Sequence, residues 1–250
     1  MFELLVIVAI GFLLGMRHAT DPDHVIAVTT IVSREGEGRR AALVGAAWGV
    51  GHTLTILLVG SAMIVFRVVL PPRLGLAMEL AVGVMLIALG FRNLGPLFSW
   101  TARRSGPEAQ KQGLHNHEHS HPHTHDSVAS LDKRFHRSQL YQFVRPLLIG
   151  VVHGLAGSAA IALLVLSTIS NPRWAVAYLA VFGLGTVLGM MLITVAIGSG
   201  FAYGQRRFVN IGRHFAVAAG LISLVFGLVI AYRTGFVDGL FSGTAHWIPR

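Results

Sequence analysis

The chain has 250 residues, of which 53% are hydrophobic and only 12% charged, with a mean hydropathy of +0.64. Soluble domains carry about 25% charged residues, so this composition belongs in lipid. The lack of cysteine excludes disulfides, thiolate zinc sites and iron–sulfur clusters. The net charge of +9 comes without the basic and aromatic platform of a nucleic-acid binder, which leaves basic loops that orient the chain in a membrane.

In chain order, the apolar runs predict six membrane-spanning helices. A span needs about 20 residues, and residues 2–16 are too few to cross alone. Residues 2–33 are therefore read as one span, with a non-helical break around His18–His24 that Pro22 favours. Glu3 stands where a signal peptide carries basic residues, and no small-x-small cleavage site precedes the break, so the segment is expected to be retained. The other spans are expected at 41–66, 74–98, 146–170, 174–203 and 214–232.

Basic residues sort between the connections. Arg34, Arg39 and Arg40 follow span 1, Arg103, Arg104, Lys111, Lys133, Arg134 and Arg137 follow span 3, and Arg206, Arg207 and Arg213 follow span 5. The positive-inside rule makes these three connections cytoplasmic and puts both termini outside. The expected fold is an all-α, multi-pass integral protein of the cell membrane, of the inner-membrane kind.

The two halves repeat at an offset of about 135 residues. Leu14-Gly15-Met16-Arg17-His18 aligns with Ile149-Gly150-Val151-Val152-His153, and Trp48-Gly49-Val50-Gly51-His52 with Phe182-Gly183-Leu184-Gly185-Thr186. Gly83 and Gly90 align with Gly220 and Gly227. With three spans in each half, the halves must be inverted relative to each other, a common plan for secondary transporters. The domains expected are residues 1–98 as the first repeat, 99–144 as a loop and 145–250 as the second repeat.

The chemistry concentrates in Arg17-His18-Ala19-Thr20-Asp21-Pro22-Asp23-His24. An ionisable residue at the bilayer centre costs roughly 2.5–3.5 kcal/mol, so such a cluster must pair internally, line a wet cavity or hold an ion. An Arg17–Asp21 pair four residues apart explains two of these groups and leaves Asp23, His18 and His24 without a reason. The spacing of two imidazoles and two carboxylates supplies nitrogen and oxygen donors for a divalent transition metal. His52, behind Gly49 and Gly51, is a further candidate ligand, since the glycines admit a neighbouring backbone. His153 is another, in a half that lacks the acids.

His115, His117, His119, His121, His123 and His125 alternate with small and acidic residues between spans 3 and 4. Such a polar, proline-containing tract cannot pack a core and reads as a flexible cytoplasmic metal-binding loop. Met190 and Met191 are neighbours that do not share a helix face, so they are read as packing residues and not as a path for monovalent copper.

Arg17 through His24 resembles the first signature of the nickel/cobalt transporter family, which belongs to the NicO-type superfamily with its efflux and urease-accessory-type members. Trp48-Gly49-Val50-Gly51-His52-Thr53 is similar to the family's second signature, an aromatic followed by Gly-His-Ser/Thr. The resemblance implies that His18, Asp23, His24 and His52 select and pass Ni²⁺ or Co²⁺ as transported substrate, with Asp21 in support. No prosthetic group is implied. The acidic motifs of the family's second half have no counterpart around Val152-His153-Gly154 or Gly189-Met190-Met191. The histidine-rich loop in a compact chain also looks like the efflux branch.

Three other functions compete. An intramembrane metalloprotease would need His-Glu-x-x-His, which is absent, so the chain is not expected to be an enzyme. A proton-coupled carrier of a non-metal solute has no use for the histidine tract. A membrane accessory that delivers metal to a metalloenzyme differs only in where its cargo goes. The partners expected are therefore a transition-metal ion and the bilayer.

Overall fold

The computed structural model describes residues 2–33, 38–66, 71–104, 139–155, 169, 171–207, 211–242 and 245. The regular elements among them are all helical: α1 (Phe2–His18), α2 (Pro22–Val32), α3 (Gly38–Phe66), α4 (Pro72–Arg104), α5 (Gln139–Leu155), α6 (Pro172–Arg207) and α7 (Ile211–Tyr232), which continues into a π-helical turn at Arg233–Val237. Among the described residues, four helices are long and apolar enough to cross a membrane: Arg39–Phe66, Pro72–Gly95, Pro172–Arg207 and His214–Val237. The helices α1, α2 and α5 are apolar but shorter.

Two expected boundaries move. The span expected at 146–170 is met by α5, which begins earlier and is described from Gln139 to Leu155; most of the remainder lies outside the described residues. The span expected to stop at 98 runs on as helix to Arg104. A helix satisfies its own backbone donors and acceptors, so nothing obliges it to stop where the apolar composition stops.

The first span is broken over fewer residues than expected. Only Ala19, Thr20 and Asp21 leave the helix; His18 closes α1 and His24 lies in the first turn of α2. Tight backbone bonds, Thr20 N–H to the Arg17 carbonyl at 2.8 Å and Asp21 N–H to the His18 carbonyl at 3.0 Å, wind up the end of α1. Asp21 then takes an extended conformation (φ −60°, ψ 144°) as the N-cap residue, and Pro22 opens α2. Proline fits there because its missing N–H is one the first turn could not bond anyway. It starts a helix here and does not merely interrupt one.

Glycines set the helix packing. The segment α1–α2 follows α6 in the same sense, with Gly11 on Tyr178, Gly15 on Phe182, Met16 and Ala19 on Gly189, and Val32 on Gly198. Helix α3 runs the opposite way along α6, with Gly45 on Thr194, Gly49 on Val187 and Gly60 on Leu179. Helix α5 lies on α3 through Gly150 on Trp48 and Gly154 on His52. Helices α4 and α7 cross antiparallel, and a Cβ on Gly90 or Gly227 would stand 2.7 Å from the carbonyl oxygen of Gly220 or Gly83. Such approaches let backbones meet where no hydrophobic force drives helices together.

Several of these contacts recur at the repeat offset. Gly15 on Phe182 corresponds to Gly150 on Trp48, Gly51 on Leu147 to Gly185 on Phe12, and Gly49 on Val187 to Gly183 on Thr53. Inside the bundle, Trp48, Ile31, Val28, Leu86 and Met190 form one buried apolar cluster, and Ile56, Leu179 and Phe182 anchor another. Outward-facing leucines such as Leu58 (71% exposed) and Leu184 (65%) suit lipid contact.

Candidate metal centre

The break in the first span delivers three polar side chains to the bundle interior. His18 projects from the last turn of α1, and Asp23 and His24 from the first turn of α2. His52 comes from α3, one helical turn beyond Trp48, so both sit on the same face of that helix. His153 comes from α5, where Gly150 and Gly154 let the α3 backbone close in on either side. All four histidines are buried, and their rings stack against one another: centroids are 4.7 Å apart for His18–His24, 4.9 Å for His24–His52, 5.2 Å for His18–His52 and 4.3 Å for His24–His153.

Two carboxylates hold three of these rings, those of His18, His24 and His153. The Asp21 Oδ2 lies 2.7 Å from His18 Nδ1. Asp23 uses both oxygens: Oδ1 lies 3.1 Å from His24 Nδ1 and accepts the His24 backbone N–H at 3.0 Å, while Oδ2 lies 3.0 Å from His153 Nε2. An ionised carboxylate only accepts, so each of these ring nitrogens carries the proton and the opposite nitrogen of the same ring keeps its lone pair. In metal centres this arrangement fixes the ring and raises its basicity.

His52 Nε2–H then donates to the His18 Nε2 lone pair at 3.1 Å. Three other ring nitrogens have nothing to bond. His24 Nε2, His52 Nδ1 and His153 Nδ1 are buried with no hydrogen-bond partner among the described residues, and so is the Trp48 indole Nε1. A buried polar atom left unsatisfied costs about 1–3 kcal/mol. The three ring nitrogens offer lone pairs that could ligate a cation, whereas the indole N–H can only donate. The side chains of His18, His24 and His52 each place one nitrogen within 4.8 Å of the others, and Asp23, His24 and His153 do the same with an oxygen and two nitrogens.

The residues singled out from the sequence are thus distributed as follows. His18, Asp23, His24, His52 and His153 converge, and Asp21 stands behind His18. The Arg17–Asp21 clasp is not formed: Arg17 is exposed and Asp21 turns to His18. His115, His117, His119, His121, His123 and His125 lie outside the described residues. Trp48 and Phe182 were given no role from the sequence, yet the Trp48 ring packs 5.7 Å from His24 and 5.5 Å from His153, and Phe182 packs 5.5 Å from His18. The signal was available for Trp48, which precedes His52 by one turn.

A profile of the NicO family, described as "High-affinity nickel-transport protein", matches residues 4–234. The chain belongs to the NicO family. It is 36% identical over 239 residues to "Urease accessory protein UreH" of Bacillus sp. (strain TB-90), a match that covers 96% of each chain. No solved structure matches it. As a NicO protein it is a multi-pass membrane transporter whose cargo is nickel, and transport, not catalysis, is its work.

Proposed function

We propose that this NicO protein passes Ni²⁺, and Co²⁺ with it, through a buried centre built from His18, His24, His52, Asp23 and His153. The observation that carries this reading is the set of buried imidazole nitrogens without partners, arranged around two carboxylates that fix their rings. Nitrogen-rich ligation without sulfur suits nickel and cobalt and disfavours monovalent copper, magnesium and calcium.

The architecture that serves such a centre is six spans in two inverted repeats, residues 1–98 and 145–250, joined by the histidine-rich loop 99–144 on the cytoplasmic side, with both termini outside. Support comes from the paired glycine contacts. It comes also from helix direction: α1 follows α6 while α5 follows α3, and α3 opposes α6. Since α1–α2 tracks a single stretch of α6 from Tyr178 to Gly198, the broken segment makes one crossing. The inner membrane of a bacterial cell is the natural setting for this topology.

Nickel flux into and out of sealed proteoliposomes tests the proposal. His18→Ala and His52→Ala proteins that insert normally are expected to lose flux by on the order of 10–100-fold or more. Unchanged flux in both would reject the centre. The resemblance to a urease accessory protein favours one second reading, delivery of nickel to a cytoplasmic metalloenzyme. Flux in vesicles that contain no acceptor protein separates a permease from an obligate delivery partner.

A further inference from the structure

The ligand atoms of the proposed centre fall into two adjacent triads that share His24. One consists of His18, His24 and His52, and the other of Asp23, His24 and His153. In each, the three residues offer one ligand atom apiece, all within 4.8 Å of one another. A first-row cation holds nitrogen and oxygen at about 2.0–2.2 Å, which keeps the ligand atoms of one ion roughly 3–4 Å apart, so each set closes on an ion with a small contraction. His52 and His153, whose rings are 5.9 Å apart, fall in different triads.

The triads also differ in access and origin. The Asp23 side chain is 22% exposed, whereas the imidazoles of His18, His24 and His153 are at most 2% exposed. The first triad draws on α1, α2 and α3, all from the first half, and offers nitrogen alone. The second joins α2 to α5 of the other half and offers an oxygen. His24 is placed to serve both through Nε2, which keeps its lone pair and has no partner among the described residues while Asp23 holds Nδ1–H.

We propose that the transported cation occupies the two triads in turn: an outer station of Asp23, His24 and His153, reached from water through the carboxylate, and an inner all-imidazole station of His18, His24 and His52, with His24 as the ligand common to both. This rests on the metal-transport reading above. The outer station suits an ion that still keeps water, since carboxylate and water are companion ligands. The inner one replaces that water with borderline nitrogen donors and so discriminates against hard cations. Two divalent ions sharing one imidazole would repel each other at close range, so one ion moves at a time.

The test uses the full chain with the six loop histidines replaced by alanine, and Co²⁺ as the probe, because its visible absorption reports ligand type and number. Expected is that His153→Ala and His52→Ala each still bind Co²⁺, with spectra that differ from one another. The His153→Ala protein retains the all-nitrogen set, and the His52→Ala protein the set with a carboxylate. His24→Ala loses binding, and all three lose flux in proteoliposomes. If His153→Ala fails to fold, Asp23→Asn removes the oxygen of the same station and carries the same expectation. The two stations are overturned if His153→Ala or His52→Ala abolishes binding as fully as His24→Ala, if their spectra coincide, or if either transports normally. A starting protein that binds no Co²⁺ at all would remove the centre itself; one undivided site would remove only the two stations.

Discussion

The Asp23 carboxylate reaches His153 at 3.0 Å, tying the first turn of α2 to the last turn of α5 across 130 residues of chain. It is one of several polar links between the two halves, beside the bonds from Thr55 Oγ1 to the Val151 carbonyl (3.1 Å) and from Ser223 Oγ to the Leu86 carbonyl (2.8 Å). It differs from them in pairing a carboxylate with an imidazole at the proposed centre.

The carboxylate behind His18 provides the first prediction. Asp21 touches His18 Nδ1 at 2.7 Å and its side chain is 40% exposed, so its removal leaves room for water and does not collapse the bundle. Asp21→Ala is expected to weaken nickel binding by roughly 10–100-fold without changing the number of imidazole ligands. Competition with a chromophoric chelator measures the first quantity and X-ray absorption the second. A lost ligand in the absorption data would make Asp21 part of the centre.

Packing offers a sharp contrast between two glycines. A Cβ on Gly51 would collide with the Leu147 carbonyl, whereas Gly95 has nothing within 4 Å. Gly51→Leu is expected to destabilise the protein by about 1–3 kcal/mol or more, and Gly95→Ala to be neutral or to stabilise it by up to about 1 kcal/mol. Thermal unfolding in one detergent compares them. Equal melting temperatures would mean that α3 and α5 do not meet at Gly51.

Acid should weaken nickel binding. An imidazole must be neutral to ligate, so protons compete with the cation and the bound ion releases them. Affinity is therefore expected to be highest at the alkaline end of the range from about pH 8 to about pH 5, and to fall steadily across it. The measurement belongs in the protein whose loop histidines are replaced, since the loop would titrate too. Binding that is flat over this range would argue for carboxylate ligation alone.

Deleting residues 115–125 is expected to leave transport in place while altering how it depends on external metal concentration. A flexible tract gathers ions without gating them. Loss of transport from a deletion protein that inserts normally would place the tract in the pathway.

Much of this was legible in the sequence for a simple physical reason: lipid makes polar residues expensive, so those that remain inside a span stand out. Arg17 to His24 and His52 announce themselves in that way. The break also announces itself, through Pro22 and a first apolar run too short to cross. What could not be read was the partnership of each carboxylate. Charge suggested Arg17 for Asp21, but a helix that ends at His18 aims Arg17 outward and leaves Asp21 beside the imidazole. His153 was ambiguous because its own half has no counterpart of Asp21 and Asp23 beside it; its carboxylate comes from the other half, which no local motif records. Trp48 is legible only as the aromatic of the second signature; its packing against His24 and His153 is not, because apolar bulk is ordinary in a span.

Stopping α1 in mid-bundle has a consequence for the field a cation meets. The peptide dipoles of a helix sum to about half a negative charge at its C-terminal end and half a positive charge at its N-terminal end. His18 is the last residue of α1, so that negative end lies beside the imidazoles. The positive end of α2 lies there too, but the Asp21 carboxylate stands at the N-cap position without a capping bond and Asp23 sits in the first turn. The end of α1 and these two carboxylates together make the proposed centre attractive to a cation. An ion held there would meet, besides the Asp23 ligand, a negative backbone end that no single side chain supplies.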